Sequence, residues 1–121
     1  EEESRFRWIG TTGGNFSISR RRILKVEGFD LYMGKNWGCE DLELGFRIYL
    51  SGCRFVYCTK AVNYHISHYR ADFMENHDQA LAYFVNKHKE RSICMLEEYF
   101  HEKQADLMEW KAAVDKAGGV L

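Results

Sequence analysis

The pair Glu40-Asp41 is the strongest candidate for chemistry in this chain, because it opens an amphipathic segment directly after Trp37 and Gly38. Acidic residues at the start of a helix gain about 0.3–1 kcal/mol from the helix dipole, so capping alone could account for the pair. The preceding aromatic ring adds a second interpretation, since a ring-shaped ligand could stack beside the carboxylates. A carboxylate at such a loop-to-helix junction can accept a proton from an attacking hydroxyl group. The motif therefore predicts either a helix cap or a general base.

A glycine pair, Gly13-Gly14, followed by Asn15 forms the second candidate. Paired glycines let the backbone approach a ligand closely and can direct amide N–H groups at an anion. An ordinary turn between two strands is the simpler interpretation, and contact with a ligand is the alternative.

Two histidines, His65 and His68, follow a predicted strand and form the third candidate. Neutral imidazole binds divalent metals well, although a histidine at a strand end is more often structural. Cys53 and Cys58 could join the histidines in a zinc site. Their Cys-x4-Cys-x6-His-x2-His spacing is not that of a familiar zinc knuckle, so zinc is the weaker alternative.

The composition describes one globular domain of 121 residues, with 45% hydrophobic and 15% aromatic residues. The net charge of −1 excludes electrostatic binding of nucleic acid or anionic lipid by the chain as a whole. The single basic run, residues 20–22, is interpreted as a solvated helix start, with phosphate contact as the alternative. No apolar run reaches the ~18 residues that would span a bilayer. Four cysteines are interpreted as mostly reduced, semi-buried thiols: Cys39, Cys53, Cys58 and Cys94.

Hydrophobic periodicity predicts an α/β arrangement in which short strands precede a helical C-terminal third. Apolar runs and alternation predict strands over residues 6–10, 15–19, 54–57 and 61–64. Helical spacing and glycine stops predict helices over residues 19–26, 40–51, 78–88 and 92–117.

The last of these predicted helices carries a repeat of seven residues. Its apolar side chains predict a helix laid on a partner surface, which could be a second helix or another subunit. The repeat consists of Ile93, Phe100, Leu107 and Val114.

Taken in order, these motifs resemble the C-terminal catalytic segment of GT-A-fold glycosyltransferases, in particular family 2 members and the related galactosyltransferase C-terminal segment. The resemblance implies an α/β, α+β-like fragment, the C-terminal half of a GT-A fold, over residues 1–68. A two-helix extension over residues 69–121 belongs to the same compact unit. The resemblance runs from about Trp8 to His68 and rests on Gly13-Gly14-Asn15-Phe16, Gly28-Phe29-Asp30, Trp37 to Leu44, Arg47, Gly52 and His65, with Asn86-Lys87-His88 as a looser match.

The resemblance also implies a role for each acid of the central motif. Asp41 would be the general base that deprotonates the acceptor hydroxyl, and Glu40 would support the loop or bind the acceptor sugar. Trp37 would line the site between donor sugar and acceptor. The Glu-Asp pair favours inversion, because retaining relatives carry Glu-Asn at this place.

Roles in donor binding follow in the same way. Gly13 and Gly14 would approach the donor sugar or its diphosphate, and Asn15 would fix the turn. His65 is similar in placement to the histidine that ligates the divalent cation in metal-dependent relatives, including the polypeptide N-acetylgalactosaminyltransferases. We therefore expect Mn²⁺ or Mg²⁺ in the full-length enzyme, with His68 as a weaker candidate ligand.

The family's nucleotide-binding half, with its Asp-x-Asp metal motif, has no counterpart in these 121 residues. We therefore expect little transfer activity from this chain alone. The partners implied are the N-terminal half of the same protein, a nucleotide-sugar donor and a carbohydrate or other hydroxyl acceptor. Nucleic acid is not expected, and a homo-oligomer could form through the last helix. The expected location is the cytoplasm or the cytoplasmic face of a membrane.

Two other classes of function compete with the enzyme. One is a non-catalytic module that keeps the fold and only recognises a sugar or a protein. The other is a small zinc-binding or basic interaction domain. The intact Glu40-Asp41 pair favours the enzyme, because a module that only binds does not need a base.

Overall fold

The computed structural model describes residues 2–35, 37–66, 68–69, 71–101 and 107–117. Helices provide all of the regular secondary structure in these ranges, and none of these helices is long and apolar enough to cross a membrane. The elements are a 3₁₀ helix Glu2–Gly10, α1 Arg20–Lys25, a 3₁₀ turn Met33–Lys35, α2 Glu40–Leu50, α3 Phe73–His88, α4 Arg91–His101 and α5 Leu107–Lys116.

Helix α2 is the centre of the fold and confirms the helix predicted for residues 40–51. It ends at Leu50 because Gly52 takes the left-handed backbone conformation, with φ of +79°. Its inner face packs against the 3₁₀ helix Glu2–Gly10, and Gly45 makes the close approach possible. A Cβ atom on Gly45 would lie 2.6 Å from the Thr11 Oγ1 and 2.7 Å from the Trp8 carbonyl oxygen.

Aromatic rings from three elements form the core. Trp8 packs edge to face on Phe46 of α2, with ring centroids 5.1 Å apart, and on Phe84 of α3 at 6.2 Å. The Phe46 and Phe84 rings also meet edge to face. Such pairs add to the stabilisation from burial alone. The core therefore joins the N-terminal segment to the C-terminal helices.

The single helix predicted for residues 92–117 is wrong, because the structure has two helices, α4 and α5, that pack against each other. Residues 102–106 between them, and the predicted stop at residues 118–119, lie outside the described residues. A continuous helix of this length would extend about 39 Å and could not bury its whole apolar stripe in a small domain. Ile93 and Val114 of the repeat are buried, together with Leu96 of α4 and Trp110 of α5.

Helix α3 begins at Phe73, five residues before the predicted start. The strand predicted for residues 6–10 is wrong, since this run lies in the 3₁₀ helix. A short apolar run does not distinguish a strand from a buried helical turn. In this structure the helical turn is the one that buries Trp8.

The other predicted strands, residues 15–19, 54–57 and 61–64, show no strand pairing within the described part of the chain. Their side chains still hold two of these segments together, because Asn15 and Asn63 each bond to backbone of the opposite segment. A strand is assigned only where a neighbouring strand supplies backbone partners. The α/β class therefore stays a prediction.

Candidate active site

The carboxylate of Asp41 contacts the glycine turn directly. Its Oδ2 accepts a hydrogen bond from the Gly13 N–H at 2.8 Å, and its Oδ1 accepts one from the Leu42 N–H at 2.8 Å. Asp41 stands in the first turn of α2 and is only partly buried. Two motifs that are 28 residues apart in the sequence thus meet at one point.

The same turn is fixed on its other side to the segment that precedes His65. The Gly14 carbonyl accepts a hydrogen bond from the Asn63 side chain at 2.7 Å. The Asn15 side chain donates in turn to the Ala61 carbonyl at 2.7 Å. Asn15 therefore bonds across the turn, which is compatible with the fixing role expected for it. The sequence does not indicate this role for Asn63, since an asparagine inside a predicted strand carries no signal for such a contact.

The second acid, Glu40, closes the loop before α2. Its Oε2 accepts a hydrogen bond from the Gly38 N–H at 2.9 Å. Gly38 has a φ of +126°, and the following Cys39 is left-handed at +59°. A Cβ atom at position 38 would lie 3.1 Å from the His77 Cα of α3. The loop therefore needs glycine at this position for its conformation and for the space that α3 leaves.

Trp37 lies at the rim of this loop, with its side chain 40% exposed and its ring centroid 6.4 Å from that of His77. Beneath it, the Cys39 sulfur lies 3.7 Å from the His77 Nε2. Burial, followed by the neighbouring carboxylates, raises the pKa of the Cys39 thiol to about 12. The thiol therefore stays protonated and does not act as a nucleophile at neutral pH. His77 is a further residue of this region that sequence reasoning missed.

His65 and His68 are exposed, with ring centroids 5.6 Å apart. No group of three or more His, Cys, Asp or Glu side chains suited to a metal ion occurs in the described ranges. The zinc arrangement with Cys53 and Cys58 is therefore not formed, and the Cys53 sulfur lies 3.3 Å from the Ser51 hydroxyl instead. The two imidazoles supply at most part of a divalent-cation site, so no chemical step is assigned to a metal here.

Glu43 lies one turn after the acidic pair and is completely buried, at 0% exposure. Its carboxylate accepts hydrogen bonds from Arg47 at 2.7–2.9 Å, from Lys87 at 2.7 Å, and pairs with the His88 Nε2 at 2.9 Å. Burial acts to raise the pKa of Glu43, but the hydrogen bonds from His88, Arg47 and Lys87 outweigh it and lower the pKa to about 2. The group is therefore a buried carboxylate with cationic partners from two helices.

Lys87 connects this cluster to Asp30, whose Oδ2 it approaches to 2.6 Å. The Tyr83 hydroxyl also donates to the Asp30 Oδ2 at 3.0 Å. Partial burial acts to raise the pKa of Asp30, but the bonds from Lys87, the Tyr32 N–H and Tyr83 prevail and lower it to about 2. The loop around residue 30 is thereby held to α3.

Arg47 completes the connection, since its guanidinium also donates to the carbonyls of Val26 and Gly28. Gly28, Asp30, Arg47, Lys87 and His88 all belong to the motif series on which the family resemblance rests. Their observed contacts are structural: they fix one loop between α2 and α3. Glu40 and Asp41 therefore remain the candidates for a chemical role.

Comparison with known proteins identifies the family. A family model described as the N-terminal domain of galactosyltransferase matches residues 2–71, which is more than half of the chain. No curated protein and no solved structure matches the chain. The match supports a glycosyltransferase and does not carry the finer prediction of a C-terminal segment of GT-A family 2. The chain belongs to the galactosyltransferase family whose N-terminal domain the matching model describes, and its function is of the glycosyltransferase kind.

Proposed function

We propose that this chain is the acceptor-side part of an inverting, GT-A-type glycosyltransferase and that Asp41 is its general base. The observation that carries the proposal is the contact between Asp41 and the glycine turn at Gly13. This contact puts the carboxylate next to the backbone where the donor sugar or its diphosphate is expected. Two backbone N–H groups orient the carboxylate. A carboxylate has about four lone-pair sites, so capacity remains to accept a proton from a hydroxyl group.

The proposed reaction is a single displacement at the anomeric carbon of the donor. The acceptor oxygen forms a bond to that carbon, its proton passes to Asp41, and the bond to the departing diphosphate breaks on the opposite face. One base is sufficient for this step, whereas glycoside hydrolases use two carboxylates. Glu40 contributes by holding the loop through Gly38, and the partly exposed Trp37 ring offers a face for a sugar.

The nucleotide-binding part is expected from the remainder of the same protein, so the test uses the full-length enzyme. Asp41→Asn keeps the size of the side chain and removes the base. We expect transfer from the nucleotide sugar to fall by about 100-fold or more. Glu109→Gln, an exposed acid on α5, is the matched control and should leave the rate unchanged. Near-normal turnover of Asp41→Asn would refute the assignment and favour a module that binds without catalysis.

A divalent cation, Mn²⁺ or Mg²⁺, remains part of the proposal for the full-length enzyme, where it would neutralise the departing diphosphate. His65 would be the ligand from this chain, with His68 as the less favoured candidate. Because the described residues provide no third ligand, the remaining ligands would come from outside them. If His65→Ala needs more Mn²⁺ than the wild type for half-maximal transfer activity and His68→Ala does not, His65 is supported as the ligand.

A further inference from the structure

A large cleft of about 1350 Å³ runs along one side of the domain, beside the glycine turn. Its walls come from the 3₁₀ helix Glu2–Gly10, the loop up to α1, α1 itself, α2, the segments 53–58 and 61–63, and α5. Four cationic side chains line it, and no Asp or Glu is found among its lining residues within the described ranges. The chain as a whole carries 18 acidic residues, so this separation of charge is not a consequence of composition. The four cations are Arg7, Arg22, Arg54 and Lys111.

None of these cations has a carboxylate partner among the described residues. Arg7 donates to the Phe55 carbonyl at 3.2 Å, and Arg22 approaches the Cys53 sulfur at 3.5 Å. Elsewhere in the fold, the cations Arg47 and Lys87 are paired with acids. A cleft with several uncompensated positive charges attracts anions and concentrates them.

Aromatic side chains line the cleft together with the cations. Phe16, Phe55 and Tyr57 line the same cleft, and Tyr57 is 85% exposed. Aromatic faces pack against the apolar faces of sugar rings, whereas a bare inorganic anion makes no use of them. The combination therefore fits a ligand that has both rings and negative charges.

The cleft borders the candidate active site through two asparagines. Asn15 and Asn63 are lining residues, and their side chains bond across to Ala61 and to Gly14 of the glycine turn. The neighbouring Gly13 N–H is the donor to Asp41. A chain-like ligand lying in the cleft would thus have its end beside the proposed base.

We propose that this cleft binds a negatively charged saccharide, a sulfated or carboxylated oligosaccharide, as the acceptor chain. Its acidic groups pair with the four cations, its rings pack on the aromatic walls, and its terminal hydroxyl group reaches Asp41. This assignment rests on the proposed function, because it names the class of acceptor for the same site. The volume of the cleft exceeds that of typical small-molecule pockets, about 300–1000 Å³, and suits several sugar rings.

The test measures binding of a sulfated dextran oligosaccharide by the chain, with an unsulfated dextran of equal length as the matched probe. We expect the sulfated form to bind at least about tenfold more tightly. The double variant Arg54→Gln/Lys111→Gln should lose about tenfold or more of that affinity. Lys25→Gln/Lys116→Gln is the control, since it removes two exposed charges that do not line the cleft.

Three results would overturn the proposal: equal binding of the two dextrans, an equal loss in the control variant, or equally strong competition by a single-stranded oligonucleotide of matched charge. Circular dichroism of each variant checks that the helices remain. The binding measurement needs no nucleotide-sugar donor, whereas the base assignment is tested by the transfer rate of Asp41→Asn in the full-length enzyme. Loss of the base assignment and loss of the acceptor assignment would therefore be seen in separate experiments.

Discussion

The buried carboxylate of Glu43 offers the sharpest test of how this fold is stabilised, and the change is Glu43→Gln. Folding lowers the pKa of Glu43 from 4.5 to about 2. Each pH unit of such a difference corresponds to about 1.4 kcal/mol, so ionised Glu43 contributes about 3 kcal/mol to the free energy of unfolding at neutral pH. Breaking a buried ion cluster by removing one partner costs a similar amount, about 3–5 kcal/mol. We therefore expect the variant to be about 3 kcal/mol less stable at pH 7.

The pH dependence has a definite sign. Because the pKa is lower in the folded state, the contribution is fully present above pH 4.5 and is lost as the pH falls towards about 2. At pH 3 the wild type should have lost about 2 kcal/mol of the stabilisation that ionised Glu43 provides. The difference between wild type and variant should accordingly shrink to about 1 kcal/mol.

The assay is urea unfolding of both proteins at pH 7 and pH 3, followed by circular dichroism at a helix wavelength. Glu109→Gln is again the control, and an exposed change of this kind should shift stability by less than about 0.5 kcal/mol. A difference between wild type and Glu43→Gln that stays constant from pH 7 to pH 3 would contradict the reasoning. Such a result would mean that Glu43 stabilises by packing rather than by its charge.

Two other predictions concern close packing and thiol chemistry. Gly45→Ala should lower the free energy of unfolding by about 1–3 kcal/mol, because the added methyl group would lie 2.6 Å from the Thr11 Oγ1; urea unfolding measures this. Ala82→Gly, at an exposed position of α3, is a suitable comparison, with an expected loss of about 1 kcal/mol from helix propensity alone. Iodoacetamide at pH 8 should modify the exposed Cys58 and leave Cys39 unmodified, since Cys39 is buried and its pKa is raised to about 12; peptide mass spectrometry reads the outcome. Equal stability of Gly45→Ala and wild type, or early labelling of Cys39, would show that these contacts are looser than described.

The sequence predicts this fold best where the signal is local. The bounds of α2 follow from its apolar spacing and from Gly52, and both are confirmed. The pair Glu43 and Arg47 is also visible as an i,i+4 spacing. By contrast, the contact of Glu43 with Lys87 joins residues 44 positions apart, and no local pattern indicates such a partner.

The wrong predictions, the single helix over residues 92–117 and the strand over residues 6–10, share one physical cause. Whether an apolar side chain is buried depends on which other element packs against it. Ile93 and Val114 belong to one heptad repeat, yet they lie on two separate helices, α4 and α5, that pack together and bury both side chains in the core. The apolar run at Trp8 becomes a 3₁₀ helix because Phe46 and Phe84 cover it. Spacing alone does not bring Gly13 and Asp41 together, since they are 28 residues apart in the sequence.

The ring packing of Trp8 and Phe46 against Phe84 has a practical consequence for anyone who wishes to isolate the region that matches the family model. The similarity to galactosyltransferase ends at residue 71, whereas Phe84, Lys87 and the two final helices lie after it. A polypeptide that ends at residue 71 would expose Trp8 and Phe46 to water, and Glu43 would lose its contacts with Lys87 and His88. A boundary placed at residue 71 therefore divides the aromatic core and the Glu43 cluster.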